Sequence, residues 1–297
     1  MLPVKRWLAW VGVLAASPAG AHAGGSWTGW TFETWVVLPL SLAAALYGVG
    51  RWRLRERSGP RSTSWRRDAF FVTGWTVTAL ALVSPVHAAG GRSFAMHMFE
   101  HELLMLGGAP LLVMSRPLPV MLWALPHAAR RALGRLVLTS GVSGSWSVLT
   151  HPAVATMAQA VALWLWHAPA LFGLALAGEG WHIVQHLSFM STALLFWASM
   201  LDEARMRHHP MTAVVGLFFT ALVSGALGAL MAFSASPWYV GYARLGMTPF
   251  GLTPVEDQQL AGLLMWIPGG VVHAAAALAI VARLLRGTPR EAVSHAE

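Results

Sequence analysis

Residues 94–117 read FAMHMFEHELLMLGGAPLLVMSRP, a stretch long and apolar enough to cross a bilayer. Its first half nevertheless carries His97, Glu100, His101 and Glu102. Ionisable groups are expensive inside a membrane, so a cluster of them marks a functional site. His97 and His101 are four residues apart and share one face of a helix. Met105 continues that strip. The pattern returns as His182, His186 and Met190. Imidazole binds copper, zinc or haem iron, and a thioether favours copper in its reduced state. Two His-xxx-His-xxx-Met strips on two apolar segments are therefore the chemistry that the chain must position.

Composition narrows the choice. Hydrophobic residues make up 56% of the chain and charged residues 11%, against about a quarter charged in a soluble domain. The charges fall between long apolar runs, the pattern of a polytopic helical membrane protein. With no cysteine, thiolate metal sites, disulfides and thiol catalysis are excluded. The net charge of +8 does not indicate nucleic acid, because Lys5 is the only lysine and the arginines sit in loops.

Along the chain, residues 1–23 resemble a secretory signal: Lys5 and Arg6, a short apolar run, then Ala21-His22-Ala23. Residues 24–297 form one membrane domain. Seven spans are expected at about 32–49, 69–86, 94–117, 148–167, 181–201, 212–233 and 257–285. A short interfacial helix is expected within 119–137. Residues 234–254 form an outer loop whose Trp238, Tyr239 and Tyr242 would lie at the membrane interface. Outside the signal, sixteen arginines then fall on one side and only Arg92 and Arg244 on the other. By the positive-inside rule the mature N-terminus is outside and the C-terminus cytoplasmic.

This topology brings the unusual residues to one depth. His97 lies roughly 7 Å below the turn at Arg92, at 1.5 Å per residue. His101 is one turn deeper, and His182 and His186 open the fifth span. His87 and His167 end the second and fourth spans, and Asp257 opens the seventh with Met265 about two turns below. The candidate ligand set is His97, His101, Met105, His182, His186, Met190, His167 and Asp257. Glu100 and Met265 stand behind it, Glu100 as a partner that fixes an imidazole tautomer. Glu102 points to the outer rim. His151, His208, His209 and His273 fall at or near the inner side and are left out.

Three classes of function fit these residues. One is a factor that binds copper at the outer side. The second is an integral haem protein with facing pairs 97/186 or 101/182. The third is an intramembrane zinc hydrolase, since His97-x-x-Glu100-His101 matches H-x-x-E-H. The phrase His97-Met98-x-x-His101-x-Leu103-Leu104-Met105-x-x-x-Ala109-Pro110-Leu111 resembles the third-span signature of the CtaG-type cytochrome c oxidase assembly factors. Trp164-x-x-His167-x-Pro169 with His182-x-x-x-His186 is similar to that family's next block. Asp257-Gln258-x-x-Ala261-Gly262-x-x-Met265-Trp266-x-Pro268-Gly269-Gly270 resembles its last. The resemblance implies a non-catalytic protein of the bacterial plasma membrane that helps deliver copper during haem–copper oxidase maturation. Its partners would be oxidase subunits and periplasmic copper chaperones, within lipid.

Overall fold

A computed structural model describes residues 28–59, 64–139, 141–202 and 210–287. The signal-like segment and Arg61, Arg205, Arg207, His208, His209 and Arg290 lie outside the described residues. Those residues form helices and no strands, as expected for an all-α membrane bundle. In chain order the helices are α1 (Thr34–Ser58), α2 (Trp65–Val83), α3 (Pro85–Gly90), α4 (Phe94–Glu102), a π-helical turn (Leu103–Gly108), α5 (Ala109–Ser115), α6 (Pro117–Leu122), α7 (His127–Thr139), α8 (Val142–Leu149), α9 (Pro152–His167), α10 (Pro169–Ala177), α11 (Glu179–Met200), α12 (Pro210–Ala232), α13 (Val240–Leu245) and α14 (Pro254–Gly287).

Four of these helices, α1, α11, α12 and α14, are long and apolar enough to cross a membrane. The pair α9–α10, bent by 74° where Pro169 stops the first helix, makes a fifth if taken as one span. The other two expected spans fall on interrupted helices. Residues 69–86 are broken at Ser84, which accepts from Val86 N at 3.2 Å and starts α3 with Pro85. Residues 94–117 carry four ionisable groups in their first half and a change of helix type. The expected single interfacial helix is two short ones, α6 and α7, separated by Pro126.

The π turn has a readable cause. The Ala109 amide bonds back five residues to the Leu104 carbonyl. In that register residue 110 would serve the Met105 carbonyl, but Pro110 has no N–H. Trp197 of α11 fills the gap, its Nε1 donating to Met105 O at 2.8 Å. Gly108 completes the joint, because a Cβ there would collide with the Thr78 hydroxyl of α2. A second close approach joins α12 and α14. A Cβ on Gly228 would lie 2.7 Å from the Gly262 carbonyl, and one on Gly262 would meet the Gly228 carbonyl. Small residues let membrane helices pack backbone to backbone in this way.

The bundle has two chemically different ends. At one, Arg51 of α1 forms a bidentate pair with Asp68 of α2, with Nε at 2.8 Å from both oxygens. The Tyr47 hydroxyl donates to the same carboxylate at 2.8 Å. Arg53 reaches the Ala124 carbonyl at 2.7 Å, and Arg130 stacks over Trp123. At the other end Thr31 N bonds Val83 O at 2.9 Å. About 15 residues of α2, roughly 22 Å, separate Asp68 from Val83. His87, His97, His101, His182 and His186 gather at this second end, away from Arg51, Arg53 and Arg130.

Candidate metal centre

Four helix ends build the site. α3 presents His87, α4 presents His97, Glu100 and His101, and α11 presents His182, Gln185 and His186. Glu33 precedes α1. The start of α4 is fixed from two sides. Its N-cap Ser93 accepts from Met96 N at 3.3 Å. Asp257 of α14 then accepts from Ser93 Oγ at 2.7 Å, Phe94 N at 2.6 Å and Ala95 N at 3.4 Å. A carboxylate on the amide end of a helix is placed where the helix dipole favours it.

The four expected histidines do converge. Ring centroids are 4.4 Å apart for His97–His101, 4.3 Å for His182–His186, 5.5 Å for His97–His182 and 5.0 Å for His101–His186. One nitrogen each from His97, His182 and His186 lies within 4.8 Å of the others, close enough to share one ion. His97, His101 and His186 are buried and His182 is half-buried. Nε2 of His97 and both ring nitrogens of His101 and His186 have no hydrogen-bond partner. Each such buried group costs roughly 1–3 kcal/mol, which a bound cation would offset.

His87 belongs to the same group although its sequence position alone does not select it. Its Nδ1 donates to Glu100 Oε1 at 2.8 Å, and its Nε2 is 3.9 Å from Glu33. Its ring lies 5.6 Å from His182 and 6.0 Å from His186. Glu100 is also 3.6 Å from His186 Nδ1. Glu100 is thus hydrogen-bonded to the imidazole of His87 and not to that of His97 or His101 on its own helix. The signal available for His87 was its depth, at the outer end of the second expected span. Glu33, just ahead of the first helix, gave none.

Other expected ligands are placed differently. Both Asp257 oxygens are engaged at the start of α4, so this residue caps a helix and does not rim the site. His167 donates from Nδ1 to Leu163 O at 2.6 Å, and its Nε2 lies 3.2 Å from Met98 Sδ. Phe189 separates it from His101, with ring distances of 6.3 and 4.7 Å. Met98, not singled out from sequence, is the thioether beside an imidazole. Met105 Sδ receives Gln159 Nε2 at 3.2 Å and faces a cavity beyond the histidines. The π turn starts after His101 and turns each residue through less than the α-helical ~100°, so Met105 leaves the strip. Met190 is half-buried against the apolar core, and Met265 is buried in it. Glu102 faces that same cavity, not the outer rim.

An aromatic roof closes the histidine end. Phe94, Phe172 and Tyr239 pack edge-on or tilted with ring centroids 4.2–5.4 Å apart, and Phe172 lies 5.3 Å from His97. Tyr239 and Tyr242 were expected at the membrane interface. They are 4% and 6% exposed, and their hydroxyls donate to His167 O at 3.0 Å and Gly90 O at 2.6 Å. Satisfying those hydroxyls inside the fold is what permits their burial.

No solved structure matches the chain. Uncharacterised proteins of Mycobacterium bovis and Mycobacterium tuberculosis are each 28% identical to it over 252 residues, covering 80% of this chain and 37% of theirs. The chain thus spans little more than a third of the length of these curated relatives. Residues 45–287, which contain all five clustered histidines, match the family of cytochrome c oxidase caa3 assembly factors, and the chain belongs to that family.

Proposed function

We propose that this assembly factor binds one copper ion in the histidine cluster and hands it to a haem–copper oxidase during maturation. His97, His182 and His186 would hold the ion, with His101 as a fourth donor within reach. The observation that carries this reading is the convergence of imidazole nitrogens from two helices inside an apolar, roofed shell. Neutral nitrogen donors without thiolate hold copper less tightly than a cysteine site, which suits a cargo that must leave. Copper here is cargo, and no bond-making chemistry is required.

The geometry disfavours the other two classes. A bis-histidine haem needs its two imidazoles on opposite faces of a macrocycle. Here four rings pack against one another at 4.3–5.5 Å, which leaves no space for a porphyrin between them. In the hydrolase reading Glu100 would activate water. Its Oε1 is instead hydrogen-bonded to His87 Nδ1, and Phe172 packs 5.3 Å from the His97 ring. The charge pattern adds the setting: a bacterial plasma membrane, with the histidine end outward and the arginine end cytoplasmic. Oxidase subunits and periplasmic copper chaperones are the partners this reading implies.

The test is metal retention by purified protein. Stoichiometric copper with no Soret band is expected, lost in His97→Ala and His186→Ala together with oxidase maturation at unchanged protein level. Normal copper and normal oxidase in both variants would overturn the proposal.

A further inference from the structure

One helical turn past His101 the bundle encloses a cavity of about 30 Å³. A water needs roughly 10–15 Å³ of such space, so the cavity has room for an ion and a water. Its polar lining comes from Glu102 at the end of α4, Met105 of the π turn, Gln159 of α9, Thr220 and Ser224 of α12, and His273 of α14. Gln159 and Thr220 are 7% and 5% exposed, and Gln159 Oε1 and Thr220 Oγ1 have no hydrogen-bond partner. Glu102 Oε2 is likewise buried without one. Buried polar atoms without partners call for an occupant.

The softer donors indicate which occupant. His273 donates from Nδ1 to the Gly269 carbonyl at 2.7 Å, a tautomer that leaves the Nε2 lone pair bare. A metal-binding imidazole is ordinarily fixed through its other nitrogen in this way. The His273 ring is clamped by Trp197, stacked at 5.6 Å and 9°, and Trp197 also holds the Met105 carbonyl. Gln159 donates to one lone pair of Met105 Sδ, which leaves the second. Imidazole, thioether and one carboxylate suit a soft monovalent ion better than calcium or magnesium, which want an oxygen shell.

We propose that this cavity is a second, deeper site for a soft monovalent metal ion, held by His273 Nε2 and Met105 Sδ, with the Glu102 carboxylate balancing its charge. The proposal rests on the copper reading of the histidine cluster. Four residues separate His101 from Met105, a rise of about 6 Å. The second site thus lies one turn below His101 and about two turns below His97, roughly 12 Å, and the π turn is what aims it.

The experiment titrates the full-length protein in detergent with Cu(I), anaerobically against a competing chromophoric chelator, and records X-ray absorption of the loaded protein. Wild type should bind two ions, with sulfur scattering beside nitrogen. His97→Ala/His186→Ala should bind one and keep the sulfur signal. Met105→Leu/His273→Gln should bind one and lose it. A wild type that binds one ion, or sulfur scattering that persists in Met105→Leu, means that the cavity holds water only, and the upper site stands. Two ions lost in Met105→Leu/His273→Gln but none in His97→Ala/His186→Ala would remove the histidine reading. Met105→Leu keeps the side-chain volume, so the sulfur signal decides alone if the double variant does not accumulate.

Discussion

Replacing His87 by Ala and Glu100 by Gln, singly and together, tests whether the cluster is one coupled network. His87 Nδ1 and Glu100 Oε1 are 2.8 Å apart, with side chains 4% and 1% exposed. Water therefore does not screen the pair as it does a surface ion pair. A hydrogen bond to a charged group contributes roughly 1.5–3 kcal/mol. His87→Ala leaves the carboxylate buried without its donor, and removing one partner of a buried pair costs about 3–5 kcal/mol. Glu100→Gln keeps the shape and removes the charge, so it should cost about half that. The double variant, with neither imidazole nor charge, should be more stable than the sum of the singles by about 2 kcal/mol.

Thermal or SDS-induced unfolding of the four proteins in one detergent gives this coupling directly. Effects that add within about 0.5 kcal/mol would refute the network. The same Glu100→Gln protein should bind Cu(I) about 10–100-fold more weakly, because Glu100 orients His87 and lies 3.6 Å from His186 Nδ1. An unchanged Kd in chelator competition would leave Glu100 a structural role only.

Asp257→Ala should destabilise the protein by about 3 kcal/mol, since it strips three donors at the start of α4. Asp257→Asn should recover part of the stability; bound copper that falls in Asp257→Asn at full stability would restore Asp257 as a ligand. Gly262→Leu should prevent the α12–α14 crossing and abolish accumulation, because even a Cβ meets the Gly228 carbonyl; normal expression with a normal melting profile would contradict that contact. Topology reporters fused at Arg130 and Arg244 should read cytoplasmic and periplasmic respectively, and the reverse pair would place the histidine end on the cytoplasmic side.

The i, i+4 spacing of His97/His101 and of His182/His186 was enough to find the cluster, because regular α-helix turns spacing into a shared face. Where the helix is not regular that inference stops. Met105 obeys the same spacing but lies in the π turn, and nothing in a Gly-Gly-Ala-Pro run says how many residues the turn will hold. Pro110 indicated a disturbance there; only the packing of Trp197 shows how it is resolved. Asp257 failed for another reason. Its acidity and depth suit a ligand and a helix cap equally, and the choice depends on Ser93, 164 residues away. Tyr239 and Tyr242 looked interfacial because an aromatic loop normally is; their hydroxyl partners, both backbone carbonyls, leave no mark in sequence.

Under the copper reading, the site would have to be closed enough to strip water from its ion and open enough to release it. The roof of Phe94, Phe172 and Tyr239 supplies the closure. The more exposed side is at α11, where His182 is half-buried while His87, His97, His101 and His186 are buried. His182 also lies at the first turn of its helix, next to the break between α10 and α11 at Gly178. Its amide is bonded to the carbonyl of Gly178, the residue that precedes the helix, at 3.1 Å. His97 and His101 have the opposite surroundings, on a helix whose first turn is tied by Ser93 and Asp257. The two strips that look alike in sequence therefore differ in their surroundings: the start of α4 is tied by Ser93 and Asp257 of another helix, and the start of α11 carries the most exposed of the clustered histidines.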